Sequence, residues 1–220
     1  TNPGGGRAVA PRAFSLFDGE LEVRHLDVGQ GDATILRAPN GRTLVVDGGR
    51  TGMGEARLIP VLRQVGALPP DFVVVSHYDN DHLGGIVELL QAGAAPRRGL
   101  FDHGDNHGCA STTCKAYYDS PRGGGAGGVW VGFTGVRADG TRVATSTENE
   151  NSVALLVEFG SFRYLVAGDL TGGAQPGCYA GDDRADVETP LGRVVGDVDV
   201  LRVNHHGSCT STNENFVNLL

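Results

Sequence analysis

The stretch SHYDNDHLGG, residues 76–85, directly follows the apolar run FVVV of residues 72–75. A β-branched run preceded by Pro69-Pro70 predicts a strand that is buried on both faces. Open α/β sheets place ligands beyond the carboxyl ends of their strands. Here two imidazoles and two carboxylates leave such a strand end together, in an alternating order that suits two metal ions a few Å apart. The stretch therefore predicts a metal centre at the end of a buried strand.

The four chelating side chains divide between two ions. We expect His77 and Asp79 to face one ion, and Asp81 and His82 to hold the other. The alternative interpretation is a solvated acidic loop. Such loops rarely gather chelating groups at a strand end and then enter a helix through a glycine pair, so the metal centre is the interpretation that we carry forward.

Length and composition predict a single globular domain. A chain of 220 residues with 40% hydrophobic content can bury a full core. No apolar run approaches the roughly 20 residues that a membrane span requires. The net charge of -8 argues against a broad electrostatic hold on nucleic acid, although bound divalent cations would reverse the field locally. Residues 1–6 resemble neither an initiator nor a signal peptide, so we expect a processed or trimmed product.

The four cysteines favour an oxidising compartment. No CxxC pair is present, and the spacings fit no structural zinc template. Of the three possible connectivities, we prefer Cys109 with Cys114 and Cys178 with Cys209.

Patterning along the chain predicts an extended N-terminal arm at residues 1–19 and one domain over residues 20–220. Apolar residues at helical spacing predict two helices, which end near Gly66 and Gly93. An acidic loop is expected after Asp169. The predicted strands, besides residues 72–75, cover residues 21–27, 33–37, 43–47, 153–159, 163–167 and 198–203.

Regular patterning fails between about residues 101 and 148, which contain the close cysteine pair and a glycine run at residues 123–128. Long irregular segments inside compact domains are usually functional or disordered. We interpret this segment as an inserted loop over the mouth of the site. A mobile surface loop without a role in substrate binding is the alternative that stays open.

Four motifs occur in one order along the chain: LDVGQGDA at residues 26–33, HYDNDHLGG at residues 77–85, Gly168-Asp169, and VDVLRVNHHGS at residues 198–208. Together they resemble the metallo-β-lactamase superfamily, whose usual motif has His at the position of Asp79. The Asp form resembles the hydrolase domain of the ComEC/Rec2 competence proteins and their secreted stand-alone relatives. The resemblance implies an αββα four-layer sandwich of the α/β class, located in the periplasm, at the cell surface or secreted.

The resemblance also implies a set of metal ligands. Asp169 would bridge the two ions, and one histidine of the pair His205-His206 would complete the second site. The resemblance does not fix which of the two binds the metal, and we prefer His205 because it is the first residue after the strand. His206 would remain free as a general acid or substrate contact, with a structural hydrogen-bonding role as the alternative. We assign catalysis to Asp81 and His206. The predicted ligands are His77, Asp79, Asp81, His82, Asp169 and His205.

The first site lacks a further ligand, for which the candidates are Asn151, His103 and His107. We favour Asn151 near the site and leave its role open. Asp79 makes this site rich in oxygen, so Mn²⁺ or Mg²⁺ is credible beside Zn²⁺. Asp47 could accept a hydrogen bond from a ligand histidine, and for Asp32 we predict a turn-forming role.

We therefore expect a hydrolase that uses a hydroxide activated by two divalent ions. The resemblance implies DNA or another phosphodiester as the substrate. Hydrolysis of a different ester, a lactone or a β-lactam is one alternative, and a noncatalytic binding domain with a decayed site is another. Because the chain ends at Leu220, soon after the last motif, we expect the final layer to be short of a strand and a helix. The missing C-terminal part of a longer protein is then an expected partner.

Overall fold

A computed structural model of the chain describes residues 19–104, 110–121, 134–136, 142–144, 147–175, 177–178 and 184–220. The predicted N-terminal arm therefore lies outside the described residues except for Gly19, and so do Cys109 and His107.

The first sheet has five strands in the order β1-β2-β3-β4-β5. Its first three strands are antiparallel neighbours, whereas β3, β4 and β5 run parallel. The first three residues of the apolar run 72–75 form β4, at the centre of the parallel part. The strands are β1 (Glu22–His25), β2 (Thr34–Arg37), β3 (Thr43–Val46), β4 (Phe72–Val74) and β5 (Gly99–Phe101).

Helices cover the outer face of this sheet. A π-type turn (Gly54–Leu58) leads into α1 (Ile59–Gln64), and α2 (Asn80–Gln91) follows β4. Leu83 and Ile86 of α2 are fully buried and belong to the hydrophobic cluster under the sheet. A Cβ on Gly85 would lie 2.0 Å from the carbonyl oxygen of Gly48, so the glycine pair lets α2 pack directly on the turn after β3.

The segment between about residues 101 and 148 contains regular structure, contrary to the predicted irregular loop. It contains α3 (Thr112–Asp119) and the antiparallel pair β6 (Thr134–Val136) and β7 (Arg142–Ala144). Ser111 caps α3 by accepting a hydrogen bond from the backbone N–H of Cys114, at 3.0 Å. The helix was missed because two turns offer little apolar periodicity, and tertiary burial of Tyr117 stabilises it instead.

The second sheet has three strands in the order β10-β9-β8, with β9 and β10 parallel. Helices α4 (Glu188–Val195) and α5 (Glu214–Val217) pack on its outer face around Leu165, Leu191 and Phe216. The acidic loop expected after Asp169 thus includes a helix. The strands are β8 (Leu155–Phe159), β9 (Phe162–Val166) and β10 (Val200–Leu201).

The two sheets face each other across a third apolar cluster, which includes Val46 and Val74 from the first sheet and Tyr164 and Val166 from the second. The three apolar clusters thus lie between four layers, in the order helices, first sheet, second sheet and helices. This arrangement confirms the predicted αββα sandwich. Among the described residues, no helix is long and apolar enough to cross a membrane.

Candidate metal centre

The predicted ligands converge where strands of both sheets end at their carboxyl termini. His77 follows β4, Asp169 follows β9, and the histidine pair follows β10. Within this region, one ligand atom from each of Asp32, His82, Asp169 and His206 lies within 4.8 Å of all the others. The site is thus assembled by both halves of the sandwich.

His82 is fully buried in the first turn of α2, and both of its ring nitrogens face carboxylates. Its Nδ1 lies 2.9 Å from Oδ2 of Asp47, and its Nε2 lies 3.1 Å from Oδ1 of Asp169. Burial lowers the pKa of His82, but the two carboxylates outweigh it and raise that pKa to about 10. The hydrogen bond between Asp47 and a histidine of the motif, expected from the sequence, is present in the structure, and metal binding by His82 stays a prediction.

Asp47 is itself held in an unusual backbone conformation, with φ of 58°. In this conformation its carboxylate accepts hydrogen bonds from the backbone N–H of Ser76 and from the Ser76 hydroxyl, both at 2.7 Å. The left-handed conformation is costly for a residue other than glycine. It aims the Asp47 carboxylate at the start of the metal motif.

His77 is fully buried and is oriented through its Nδ1. That atom lies 3.0 Å from the Ser76 hydroxyl and 3.3 Å from the Ser152 hydroxyl. Its Nε2 lies 3.5 Å from Oδ2 of Asp79 and 4.0 Å from Oδ2 of Asp169. Among the described residues Nε2 has no hydrogen-bond partner. A buried nitrogen of this kind calls for a further partner, and a metal ion fits that requirement.

His206 lies at the centre of the site. Its Nε2 is 3.2 Å from Oδ2 of Asp169, 3.3 Å from Oδ2 of Asp81 and 3.2 Å from Nε2 of His82. His205 lies further out, with its Nε2 3.7 Å from Oδ2 of Asp169. The geometry therefore places His206 where the sequence analysis placed His205.

The reversal follows from the backbone of the histidine pair. The prediction took the first residue after the strand as the inward one. Both histidines have left-handed conformations, with φ of 49° at His205 and 53° at His206. The chain therefore turns sharply after β10 and directs the second imidazole toward the carboxylates. Ligation by either histidine stays a prediction.

The charges of the site suit divalent cations. The carboxylates of Asp169, Asp32 and Asp81 raise the pKa of His206 to about 12. Although burial raises the pKa of Asp169, its hydrogen bonds to His206 and His82 hold that pKa well below its usual range. Protons on the imidazoles thus balance clustered negative charge. Divalent cations can take the place of these protons, because imidazole and carboxylate are both their ligands. The residues present therefore fit divalent cations.

The candidates for the further ligand of the first site are distributed differently. His103 is buried with its Nε2 3.0 Å from Oε2 of Glu148, and its ring packs on Tyr78. Asn151 donates its side-chain amide to the carbonyl of Thr147 at 2.6 Å. His107 lies outside the described residues. These contacts do not join His103 or Asn151 to a predicted ligand, so the question stays open.

Asn149 was missed by the sequence analysis. Its Nδ2 lies 3.3 Å from Nε2 of His205. Asn149 and Asn151 share one short 3-10 turn (Asn149–Asn151), which presents the two side chains to different neighbours. The ENEN sequence indicated an asparagine near the site but could not tell which one.

Asp32 was also misjudged. It is buried, forms a bidentate ion pair with Arg202, and has Oδ1 3.1 Å from Nδ1 of His206. The available signals were a carboxylate directly after a glycine turn and an arginine shortly before the histidine pair. The sequence separation of Asp32 and Arg202 hid their connection.

One disulfide joins Cys178 and Cys209, as predicted. Cys114 is also disulfide-bonded. Its predicted partner Cys109 lies outside the described residues, so that pairing stays a prediction.

Comparison with known proteins agrees with this architecture. The pattern of the metallo-beta-lactamase superfamily matches residues 26–220. The chain is 32% identical over 202 residues to Recombination protein 2 of Haemophilus influenzae, covering 88% of this chain and 22% of that protein. It is 28% identical over 218 residues to Competence protein ComA of Neisseria gonorrhoeae, covering 96% of this chain and 27% of that protein. The chain thus spans about a quarter of the length of these curated relatives.

Among solved structures, metallo-beta-lactamase SMB-1 bound to 2-mercaptoethanesulfonate aligns with a TM-score of 0.43 and 16% identity, over 74% of this chain and 66% of that chain. The family match extends from the first motif to the last residue and includes every ligand predicted above. The chain therefore belongs to the metallo-beta-lactamase superfamily.

Proposed function

We propose that this chain is a metal-dependent phosphodiesterase that acts on DNA outside the cytoplasm through a centre of two divalent ions. The observation that carries the proposal is the placement of Asp169. Its Oδ2 lies 4.0 Å from Nε2 of His77, and its Oδ1 lies 3.1 Å from Nε2 of His82. One carboxylate can therefore serve two neighbouring ions.

The ligands divide around that carboxylate. His77 and Asp79 would hold the first ion with Asp169, and Asp81, His82 and His206 would hold the second with it. Bound divalent cations supply Lewis acidity, which activates water and offsets negative charge on substrate oxygens. Carboxylates provide half of this set, and such sites suit Mn²⁺ or Mg²⁺ as well as Zn²⁺.

The surrounding residues hold the ligands in place before substrate arrives. Ser152 donates to or accepts from Nδ1 of His77, and its hydroxyl also accepts the backbone N–H of Asp169 at 3.1 Å. A Cβ on Gly168 would lie 2.7 Å from Cβ of Ser76, so the two strand ends meet closely. Positioning of this kind lowers the cost of aligning the reacting groups.

His205 takes the role that the sequence analysis gave to His206. Because Nε2 of His206 lies among the carboxylates, His205 is the histidine of the pair that remains further out, with its Nε2 3.7 Å from Oδ2 of Asp169. We assign it to contact with the substrate or with the leaving oxygen. This position would allow the imidazole to hold a proton at the leaving oxygen.

Support for DNA as the substrate comes from the relatives, which are named as a recombination protein and as a competence protein. The disulfide between Cys178 and Cys209 is compatible with a location outside the cytoplasm.

The test is hydrolysis of bis-p-nitrophenyl phosphate and single-stranded DNA with Mn²⁺, Mg²⁺ or Zn²⁺, compared with nitrocefin and a lactone. We expect the phosphodiesters to be cleaved faster. Asp169→Ala should lose the activity, whereas Glu158→Ala, an exposed carboxylate on β8, should retain it. Ready hydrolysis of nitrocefin or the lactone with intact phosphodiesters would favour the alternative hydrolase. Metal binding without hydrolysis of any of these substrates would favour a noncatalytic domain.

A further inference from the structure

Asp32 contacts the ring nitrogen of His206 that points away from the other carboxylates of the centre. Its side chain lies in the turn between β1 and β2, and only 3% of the residue is exposed. Its Oδ1 is 3.1 Å from Nδ1 of His206. An ionised carboxylate can only accept a hydrogen bond, so Nδ1 must be the donor. Nε2 faces Asp81 and Asp169 at 3.3 and 3.2 Å. A metal ion in place of the proton on Nε2 would leave the imidazole neutral, with its remaining hydrogen on Nδ1 toward Asp32.

Three contacts hold Asp32 in this position. Its carboxylate forms the bidentate ion pair with Arg202, which offsets the cost of burying the charge. Its backbone N–H donates to the carbonyl of Asp81 at 3.1 Å, and its own carbonyl accepts from the N–H of Gly49 at 2.7 Å. The turn is thus fixed to the start of α2, where one of the predicted ligands lies.

The neighbouring turn is packed tightly enough to restrict Asp32 further. Gly31 has a φ of +132°, and a Cβ there would lie 2.3 Å from the carbonyl oxygen of Asp81. Only glycine fits this approach of the turn to α2. The tight packing of Gly31 against Asp81 therefore also holds the backbone of Asp32 against the metal motif.

The arrangement repeats the one at the other histidine of the second ion. Nδ1 of His82 faces Asp47 at 2.9 Å, and Nε2 of the same ring faces Asp169. Each imidazole has one nitrogen on a supporting carboxylate and the other directed to the centre. Such partners orient ligand histidines and raise their basicity.

We propose that Asp32 is a positioning residue that fixes the tautomer and the orientation of His206, and that Arg202 holds Asp32 for this purpose. The inference rests on the second ion of the proposed function but not on any substrate. Loss of the Asp32 carboxylate should weaken metal binding at that site by about 10- to 100-fold, the usual cost of removing such a partner.

The competing assignment is Asp32 as a direct ligand, since its carboxylate belongs to the group of atoms within 4.8 Å. The two assignments differ in stoichiometry and in the state of the imidazole. A positioning residue changes affinity and tautomer while the number of ions stays the same. A ligand changes coordination and leaves the tautomer of His206 unaltered.

The experiment combines calorimetric Zn²⁺ titration with ¹⁵N NMR of histidine side chains in the Zn²⁺-loaded protein. Wild-type protein should show His206 with hydrogen on Nδ1 alone. In Asp32→Ala, one of the two Zn²⁺ equivalents should bind about 10- to 100-fold more weakly, and the His206 signals should shift toward a mixture of tautomers. His206→Asn identifies the signals.

Asp47→Ala is the matched control. It should weaken the same ion and alter the signals of His82, while the tautomer of His206 stays unchanged. Arg202→Met should lower the melting temperature. It should weaken Zn²⁺ binding less than Asp32→Ala does. If Asp32→Ala does not fold, Asp32→Asn retains an acceptor oxygen, and it should keep the His206 tautomer with an affinity between those of wild type and full loss.

Three results would overturn the inference. The first is loss of a whole Zn²⁺ equivalent with an unchanged His206 tautomer, which would make Asp32 a ligand. The second is unchanged affinity together with an unchanged tautomer in the Asp32 variants, and the third is a wild type that binds no Zn²⁺. A wild type that binds Zn²⁺ as expected but leaves phosphodiesters intact would contradict the proposed function alone.

Discussion

At the scale of single residues, the site depends on carboxylates that serve more than one partner. Asp169 faces His77, His82 and His206, whereas Asp47 supports one histidine and the backbone of the motif. We expect the carboxylate of Asp169 to be needed for both proposed ions, and that of Asp47 to be needed for the stability of the fold around them. Substitutions at the two positions should therefore have different effects.

Asp169→Ala should reduce the number of bound divalent ions from near two toward zero, because both sites lose their shared ligand. Asp81→Ala should remove only the second ion. Elemental analysis after dialysis against Mn²⁺ or Zn²⁺ measures both. Two ions retained in Asp169→Ala would contradict the assignment of this carboxylate.

Asp47→Ala should lower the free energy of unfolding by about 3–5 kcal/mol, as expected when one partner of a buried charged pair is removed. It leaves the N–H of Ser76 and Nδ1 of His82 without their acceptor. Urea unfolding in the presence of a chelator measures the change apart from metal binding. Asp27→Ala, an exposed carboxylate with one hydrogen bond at 3.3 Å, is the control and should change stability little.

At the scale of elements, the centre depends on close approach of segments that the sheets bring together. Helix α2 begins at the metal motif and rests on the turn after β3 through its glycines. The histidine turn after β10 is connected by a disulfide to the segment before α4. Both contacts can be altered without changing any predicted ligand.

Gly85→Ala should weaken metal binding as well as stability. The added Cβ would meet backbone atoms of Gly48, so α2 must shift away and carry Asp81 and His82 with it. Overpacking of this kind costs about 1–3 kcal/mol. Thermal melts and Zn²⁺ titration test the expectation against Gln91→Ala, which lies exposed at the other end of α2. Unchanged metal affinity in Gly85→Ala would show that α2 can move without disturbing the site.

The pair of substitutions Cys178→Ser and Cys209→Ser, made together, should lower the free energy of unfolding by about 3–4 kcal/mol, given the entropy of closing a loop of this length. The disulfide spans 31 residues and ends shortly after His206. We also expect weaker Zn²⁺ binding, because the left-handed histidine turn loses a constraint. Urea unfolding with calorimetric titration measures both effects, and loss of stability without loss of metal affinity would place the constraint away from the site.

At the scale of the whole molecule, the centre connects the two halves of the sandwich. His77 and His82 come from the first sheet and its helix, whereas Asp169 and His206 follow strands of the second sheet. Bound ions should therefore stabilise the packing of the halves. A ligand that binds the folded state alone adds about 4 kcal/mol at 1,000 times its dissociation constant.

Removal of metal with a chelator should consequently lower the melting temperature of the wild type by several degrees, and added Zn²⁺ or Mn²⁺ should restore it. Asp169→Ala is the control, since its melting temperature should not respond to either treatment. Differential scanning calorimetry measures the shifts. A wild type whose melting temperature is the same with chelator and with metal would contradict a centre that joins the halves.

Local sequence was sufficient for the layers and for the strand ends at which most of the predicted ligands lie. The β-branched run before the motif is a buried strand because its pattern has no polar face, and chelating groups at its end point into the site because strand ends deliver them there. His77, Asp81 and His82 lie near one another, and their binding of metal stays a prediction. These properties depend on neighbours in the chain and can be read from them.

The remaining choices were made by tertiary contacts. His206 and not His205 faces Asp169 because the turn after β10 is left-handed, and that turn is held by long-range contacts such as the hydrogen bond from Asn204 to buried Glu188, at 2.6 Å. Asp32 supports His206 only because β1 and β10 bring it beside Arg202, 170 residues away in sequence. Hydrophobic periodicity and secondary-structure propensity contain no information about such long-range contacts. The sequence by itself determined the sandwich and the motif at its strand ends, whereas packing of the two halves decided which side chains of those motifs face each other.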